Sequence, residues 1–173
     1  MPFSAKAVGN FYLDEAAKQD RFLTAMHLQK LVYFAHGWHL ALRNEQLISD
    51  NIEAWKFGPV IPALYHEFKV FGDQPITSRA TEFNFDSWEL TTCAMADENW
   101  EQAAKIVPLL NRVLAVYSPF SAIQLSNMTH EPGSPWRTMY DKFGGEPPKH
   151  TIIPVELIKE YFIRLANAPR TIS

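Results

Sequence analysis

The sequence of 173 residues contains a single cysteine, Cys93, so it has no pair for an internal disulfide. It also lacks a basic surplus, because the formal net charge is −3 and the pI is near 6.1. DNA- and RNA-binding domains are usually strongly basic, so direct nucleic-acid binding is not expected. Apolar runs such as residues 31–35 are far shorter than the ~20 residues that span a bilayer, and residues 1–13 do not resemble a signal peptide. These absences predict a soluble, cytoplasmic protein with no membrane partner.

Motifs for catalysis and for cofactors are also missing. The glycines are scattered and form no phosphate-binding loop. His36 and His39 are three residues apart on a predicted helix, but no further ligand pattern accompanies them. His66 begins a His-Glu pair like that of zinc proteases, yet Val70 stands where the second histidine would be. Nothing in the sequence indicates an activated thiol at the lone cysteine. We therefore predict a protein that is not an enzyme and holds no metal or cofactor.

Aromatic residues are abundant, at 13% of the chain. Large rings either fill a core or anchor protein–protein interfaces. A chain of this length can bury roughly 70% of its unfolded surface, so it can fold without a disulfide or a metal. We expect one domain over residues 1–173, with its core at about residues 10–165.

Helical spacing of apolar residues predicts a mainly α fold, a single helical domain with a small β-hairpin insertion. The strongest helix covers residues 25–42, starts after Thr24 and carries the apolar stripe Leu28, Leu31, Val32, Ala35, Trp38 and Leu42. A later helix is expected to begin at Asp97 and to kink, or to divide, at Pro108.

Two short strands are expected at residues 47–48 and 53–57, joined by a turn at 49–51. Strand alternation would place Glu53, Trp55 and Phe57 on one face. Residues 83–90 also alternate, and the pattern leaves open whether they form a strand or a packed loop.

A second unusual segment, residues 129–136, is a turn fixed by prolines that carries His130 and Trp136. His130 follows a predicted helix, and the dipole at a helix C-terminus favours the charged imidazolium. Two interpretations remain open: Trp136 fills the helical core, or the loop contributes to a binding surface.

Three stretches together resemble the signatures of one protein family. Residues 28–42 read LQKLVYFAHGWHLAL, residues 52–60 read IEAWKFGPV, and residues 129–136 read THEPGSPW. Similar stretches, in this order, are found in the SocA-like, or Panacea, antitoxin family. The resemblance covers residues 10–165, and three ordered blocks are a far more specific signal than one short motif.

The resemblance implies a helical antitoxin from a two-gene toxin–antitoxin system, a class often carried by prophages and mobile elements. It implies a cognate toxin protein as the partner and direct binding as the mode of action. It leaves open an adaptor role that delivers the toxin to an AAA+ protease, and it leaves open whether the chain is a monomer or a dimer. The residues expected at the partner interface are Tyr33, Trp55, Lys56, Tyr65, His66, His130 and Trp136.

Two alternatives to an antitoxin remain. The chain could be a phage or mobile-element accessory protein with the same fold, in which case no toxin gene would lie beside it. It could also be a small hydrolase whose histidines, His36, His39, His66 or His130, converge in a cleft with a carboxylate. Relatives often carry an additional DNA-binding module, for which this chain has no room, so self-repression of an operon is not expected.

Overall fold

A computed structural model describes residues 1–168, so the predicted domain end at residue 173 lies outside the described part. Within residues 1–168 the chain forms seven α-helices and two antiparallel hairpins, which confirms the predicted mainly α fold. The helices are α1 (Ala5–Lys18), α2 (Ala25–Arg43), α3 (Pro62–Phe68), α4 (Met95–Tyr117), α5 (Ala122–Thr129), α6 (Pro135–Lys142) and α7 (Val155–Asn167). Strand β1 (Glu53–Trp55) pairs with β2 (Gly58–Val60), and β3 (Thr81–Asn84) pairs with β4 (Glu89–Thr92).

Helix α2 lies at the centre of the fold and confirms the strongest predicted helix. Thr24 caps its start by accepting a hydrogen bond from the backbone N–H of His27 (3.3 Å), and Asn44 ends it in the left-handed conformation, φ 56°. Residues 28–37 are all buried, because α1, α3, α4, α5 and α7 contact this helix on its different sides. The other helices are therefore organised around α2.

The last helix packs on α2 at a glycine. A Cβ atom at Gly37 would overlap the ring of Phe162, so the absence of a side chain allows α7 to approach the α2 backbone closely. Phe162 is fully buried and meets the rings of Trp38 and Tyr33 edge-on, at 5.4 and 5.9 Å between centroids. This contact fixes the C-terminal helix to the centre of the fold.

The first hairpin lies further along the chain than the sequence predicted. Strand β1 ends at Trp55, which lies opposite Gly58, and Lys56 and Phe57 form the two-residue turn between the strands. The predicted strand over 53–57 is therefore too long, and β2 begins directly after it, at Gly58. Phe57 thus projects from the hairpin tip and does not continue a strand face.

Residues 47–51, predicted to be a strand and its turn, hold the N-terminus in place. Ile48 makes one isolated parallel bridge, with Phe3, and no strand. Asp50 accepts a hydrogen bond from the backbone N–H of Ala5 (2.7 Å) at the start of α1. The turn-forming residues are thus used in a contact with a distant part of the chain, which local patterns do not reveal.

Helix α4 is interrupted near its start and not at its proline. Asn99 leaves the helical conformation (φ −164°, ψ 94°), and its side chain accepts a hydrogen bond from the backbone N–H of Gln102 (3.1 Å). Asn99 therefore caps the long second part of α4, in the role that the sequence suggested for Asp97. The backbone dihedral angles stay helical through Pro108, so the predicted division at that residue is wrong.

Among the described residues, no single helix is long and apolar enough to cross a membrane. Helices α4 and α5 reach the required length and composition only when taken together, and they are bent 105° apart.

Candidate partner-binding site

The three signature stretches meet beneath the first hairpin. Gly58 has φ +124°, and a Cβ atom there would lie 2.8 Å from His130 Nε2, 2.9 Å from Lys30 Nζ and 3.4 Å from Thr129 Oγ1. Backbone with this φ strongly favours glycine, and the neighbouring side chains leave no room for a larger residue. The centre of α2, strand β2 and the end of α5 therefore converge within a few ångströms of one glycine.

Two neighbouring side chains of α2 hold the hairpin from below. The amide of Gln29 donates to the carbonyl of Ile61 and accepts from its N–H, both at 2.9 Å. Lys30 Nζ donates to the carbonyl of Pro59 (3.2 Å), and no carboxylate of the described residues forms an ion pair with it. Burial lowers the pKa of Lys30 to about 8. The hairpin is thus fixed by buried polar groups.

The loop after α5 supports the hairpin through Trp136. Its indole Nε1 donates to the carbonyl of Trp55 (2.6 Å), and its ring is buried between His130 and Tyr140, at 4.2 and 4.7 Å between centroids. Burial, with smaller contributions from the charges of Lys30 and Arg137, lowers the pKa of His130. This lowered pKa favours the neutral imidazole at His130, against the expectation of a charged ring, although a backbone hydrogen bond with Phe57 acts in the opposite direction.

Above this base lies an exposed aromatic and basic surface, which we call the hairpin surface: Trp55, Lys56, Phe57, Tyr65 and His66. Trp55 is half-buried, and Tyr65 meets its ring edge-on at 4.7 Å. Phe57 at the tip is 73% exposed, with the Lys56 ammonium 5.5 Å from its ring centroid. These side chains project from a fixed hairpin and from the adjacent helix α3.

An open groove of about 470 Å³ continues the hairpin surface. Its walls are the hairpin, His66 of α3 and residues 147–150. The carboxylate beside it, Glu53, is buried and already satisfied: it accepts from Trp55 Nε1 (2.8 Å) and contacts His150 Nδ1 (3.1 Å). Lys56 and Lys149 are therefore the formal charges exposed in this groove, which favours an acidic partner segment.

The predicted interface residues fall into two groups. Trp55, Lys56, Tyr65 and His66 belong to the hairpin surface, whereas His130 and Trp136 lie beneath it. Tyr33 is only 2% exposed, packs against the ring of Phe162, and is inaccessible to a partner in this conformation. Burial raises the pKa of Tyr33, and its hydroxyl has no hydrogen-bond partner among the described residues.

Two parts of the surface were not identified from the sequence. Phe57 was assigned to a strand face, and the signal that identifies it is the two-residue turn Lys56-Phe57 before a glycine. Residues 147–150 carry no local pattern that points to the hairpin. Their place follows from pairing of the next residues with β1, in which Ala54 N–H donates to the carbonyl of Thr151 (2.8 Å).

The side chains that could support catalysis have structural contacts. His36 Nδ1 accepts from the backbone N–H of Ile48 (3.3 Å), and burial lowers the pKa of His36 to about 4. His39 Nδ1 lies 2.7 Å from the carbonyl of Glu45. Burial raises the pKa of Cys93 to about 11, which favours the unreactive thiol. Within residues 1–168, no group of three His, Cys, Asp or Glu side chains is placed to hold a metal.

Comparison with known proteins identifies the family of this mainly helical protein. The family model described as "Antitoxin SocA-like, Panacea domain" matches residues 28–137. The chain is also similar to Antitoxin SocA of Caulobacter vibrioides, with 36% identity over 133 residues that cover 76% of this chain and 68% of the relative. The protein therefore belongs to the SocA-like (Panacea) antitoxin family, as its three signature stretches predicted. No solved structure matches it.

Proposed function

We propose that the protein is an antitoxin that neutralises a cognate toxin protein by direct binding, and that the hairpin surface makes the contact. Membership of the antitoxin family carries this proposal. The position of the surface supports it, because the signature stretches converge directly beneath the hairpin. Exposed aromatic side chains on a rigid support are typical anchors of protein interfaces.

The residues of the site fall into two groups: some contact the toxin, and others fix the hairpin in place. Trp55, Lys56, Tyr65 and His66 contact the toxin, together with Phe57 at the tip. His130 and Trp136 act from below by fixing the hairpin, so their replacement would change binding through the position of the surface. The basic groove selects an acidic segment of the toxin, since like charges oppose association.

Neutralisation by direct binding requires no catalytic activity of the antitoxin. A toxin whose working surface is covered by the hairpin surface is inactive for as long as the complex lasts. We propose this covering mechanism, and delivery of the toxin to an AAA+ protease is the alternative that the test below separates from it.

The test is a growth assay in a bacterial host. The small gene beside this one is induced alone, or together with the wild type, Phe57→Ser or Phe22→Ser. Phe22 is a matched control, since it is 72% exposed but lies outside the hairpin surface. The wild type and Phe22→Ser should restore growth, whereas Phe57→Ser should restore it less. If Phe57 is a hot spot of the interface, its loss weakens toxin binding at least ~tenfold, which a Kd measurement with the purified proteins checks.

Growth arrest that persists with the wild type would reject the antitoxin proposal. Equal protection by Phe57→Ser would reject the hairpin surface as the contact and leave the antitoxin role intact. Immunoblots of the toxin during rescue separate the mechanisms: a constant toxin level supports covering, and a falling level that depends on an ATP-dependent protease supports delivery.

A further inference from the structure

The second hairpin presents a face of large apolar side chains to solvent. Phe83 and Leu90 are cross-strand partners, and both are exposed. Phe85 and Trp88 in the connecting loop are 76% and 75% exposed, and their rings lie 5.0 and 5.9 Å from the ring of Phe83. We call Phe83, Phe85, Trp88 and Leu90 the β3–β4 face. A contiguous apolar patch of this kind is typical of an interaction surface.

This face is held in a fixed shape. Asn84 Oδ1 accepts hydrogen bonds from two backbone N–H groups of the loop, at 2.8 and 3.2 Å, and Trp88 takes a left-handed φ of +58°. At the base of the hairpin the buried Asn10 amide donates to the carbonyls of Ala80 and Cys93, at 2.9 and 2.8 Å. The exposed rings are therefore presented by an ordered element anchored on α1.

The hairpin that carries the face has acidic side chains and no basic one. Residues 81–92 contain Glu82, Asp86 and Glu89 and no lysine or arginine, whereas the whole chain has a formal net charge of only −3. Glu82 lies 3.9 Å from Lys6, but Asp86 and Glu89 are exposed and form no ion pair within the described part of the chain. An apolar centre with an acidic rim is complementary to a basic partner.

We infer that the β3–β4 face docks a segment of a partner protein that carries apolar side chains flanked by lysine or arginine. A second copy of the chain in a symmetric contact would bring the acidic rims together, and like charges disfavour that arrangement. The hairpin surface and its groove expose Lys56 and Lys149 and have the opposite charge preference. The inferred contact is therefore additional to the toxin contact and does not depend on it.

The experiment uses a phage-displayed library of random peptides. Peptides are selected on the full-length protein and counter-selected on the double variant Phe85→Ser/Trp88→Ser, whose replaced rings are too exposed to support the fold. Recovered peptides should carry excess lysine or arginine together with apolar residues. By fluorescence anisotropy their Kd should rise at least ~tenfold in the double variant, but change less than about twofold in Phe57→Ser. Glu89→Lys should weaken the same peptides, and added salt should weaken them further.

Three results would overturn the inference. The first is that the selection recovers neutral or acidic peptides. The second is that no recovered peptide binds the wild type and the double variant with different Kd values. Sedimentation could also reveal a wild-type dimer that the double variant loses, in which case the occupant is a second copy of the chain. Because Phe57→Ser and Phe85→Ser/Trp88→Ser each address one surface, failure of this inference is distinguishable from failure of the antitoxin proposal.

Discussion

Replacing Gly58 by alanine would place a methyl group where the three signature stretches meet. The new Cβ would lie 2.8 Å from His130 Nε2 and 2.9 Å from Lys30 Nζ, both closer than carbon contacts allow. Lys30 is buried and the His130 ring lies against Trp136, 4.2 Å between centroids, so neither side chain can move away easily. The variant therefore tests directly whether the base of the hairpin is packed as described.

Two energetic costs determine how far Gly58→Ala lowers the free energy of unfolding. A non-glycine residue at φ +124° costs about 1–3 kcal/mol of backbone strain, and forcing a methyl group into a filled site costs about 1–3 kcal/mol more. We expect Gly58→Ala to lower the free energy of unfolding by about 2–6 kcal/mol. With a urea m-value of about 2 kcal/mol/M, the unfolding midpoint should fall by about 1–3 M.

Gly133→Ala is the matched control for this prediction. Gly133 also has a positive φ, +83°, but no atom lies within 4 Å of a Cβ built there, so only the backbone term applies. The midpoint of Gly133→Ala should fall by about 0.5–1.5 M, which is less than the fall for Gly58→Ala. If Gly58→Ala shifts the midpoint no more than Gly133→Ala does, Lys30 and His130 do not enclose Gly58 and the reasoning is refuted. In a Lys30→Met background the cost of Gly58→Ala should shrink, which a double-mutant cycle measures.

Three further changes have defined outcomes. Gly37→Ala should lower the thermal midpoint in calorimetry, because overlap with the Phe162 ring costs about 1–3 kcal/mol and exceeds the gain in helix propensity; an unchanged midpoint would contradict the close contact. The lowered pKa of Lys30 means that between pH 8 and 10.5 the unfolded chain retains a proton that the folded chain has released, so stability rises with pH in that window. Relative to Lys30→Met, the wild type should therefore gain about 2–3 kcal/mol from pH 7 to pH 10 in urea titrations, and parallel curves would exclude a buried amine with this pKa. Trp136→Phe leaves the Trp55 carbonyl without its donor, and should cost about 1–3 kcal/mol and speed hydrogen exchange in β1 and β2 while exchange in β3 and β4 stays unchanged.

The sequence was most informative where one pattern repeats over several turns. The apolar stripe from Leu28 to Leu42 predicted α2 to within one residue, because each turn of the helix contributes an independent match. The prediction of a short element depends on fewer residues, and the predicted strands of the first hairpin were displaced along the sequence. Ser49 and Asp50 look like turn formers, but both contact the N-terminal segment, a partner that no local pattern can reveal.

The interruption in α4 illustrates a competition between two signals. Pro108 is the stronger helix breaker on average, yet the backbone stays helical through it. Asn99 is a weaker signal in sequence, and its amide caps the following turn. Which signal prevails depends on packing against α1 and α2, which lies outside any local window.

For the candidate site, the sequence located the right segments but not the orientation of their side chains. Trp55, Lys56, Tyr65 and His66 lie on one surface, whereas Tyr33 from the same signatures points into the core. Aromatic residues of a signature look alike in sequence whether they anchor a partner or fill a core. Their exposure is decided by the neighbouring elements, here by α7, which covers Tyr33 through Phe162.

The anchoring of the first hairpin from below has a consequence for engineering. Every hydrogen bond described at its base involves backbone groups or the side chains of Gln29, Lys30, Glu53, Trp55 and Trp136, and none uses the side chains of the two tip residues. Lys56 and Phe57 can therefore be exchanged at little cost to folding. New partners can therefore be sought by single substitutions at the tip, and randomising these two positions is a compact starting library for redirecting the protein to a chosen target.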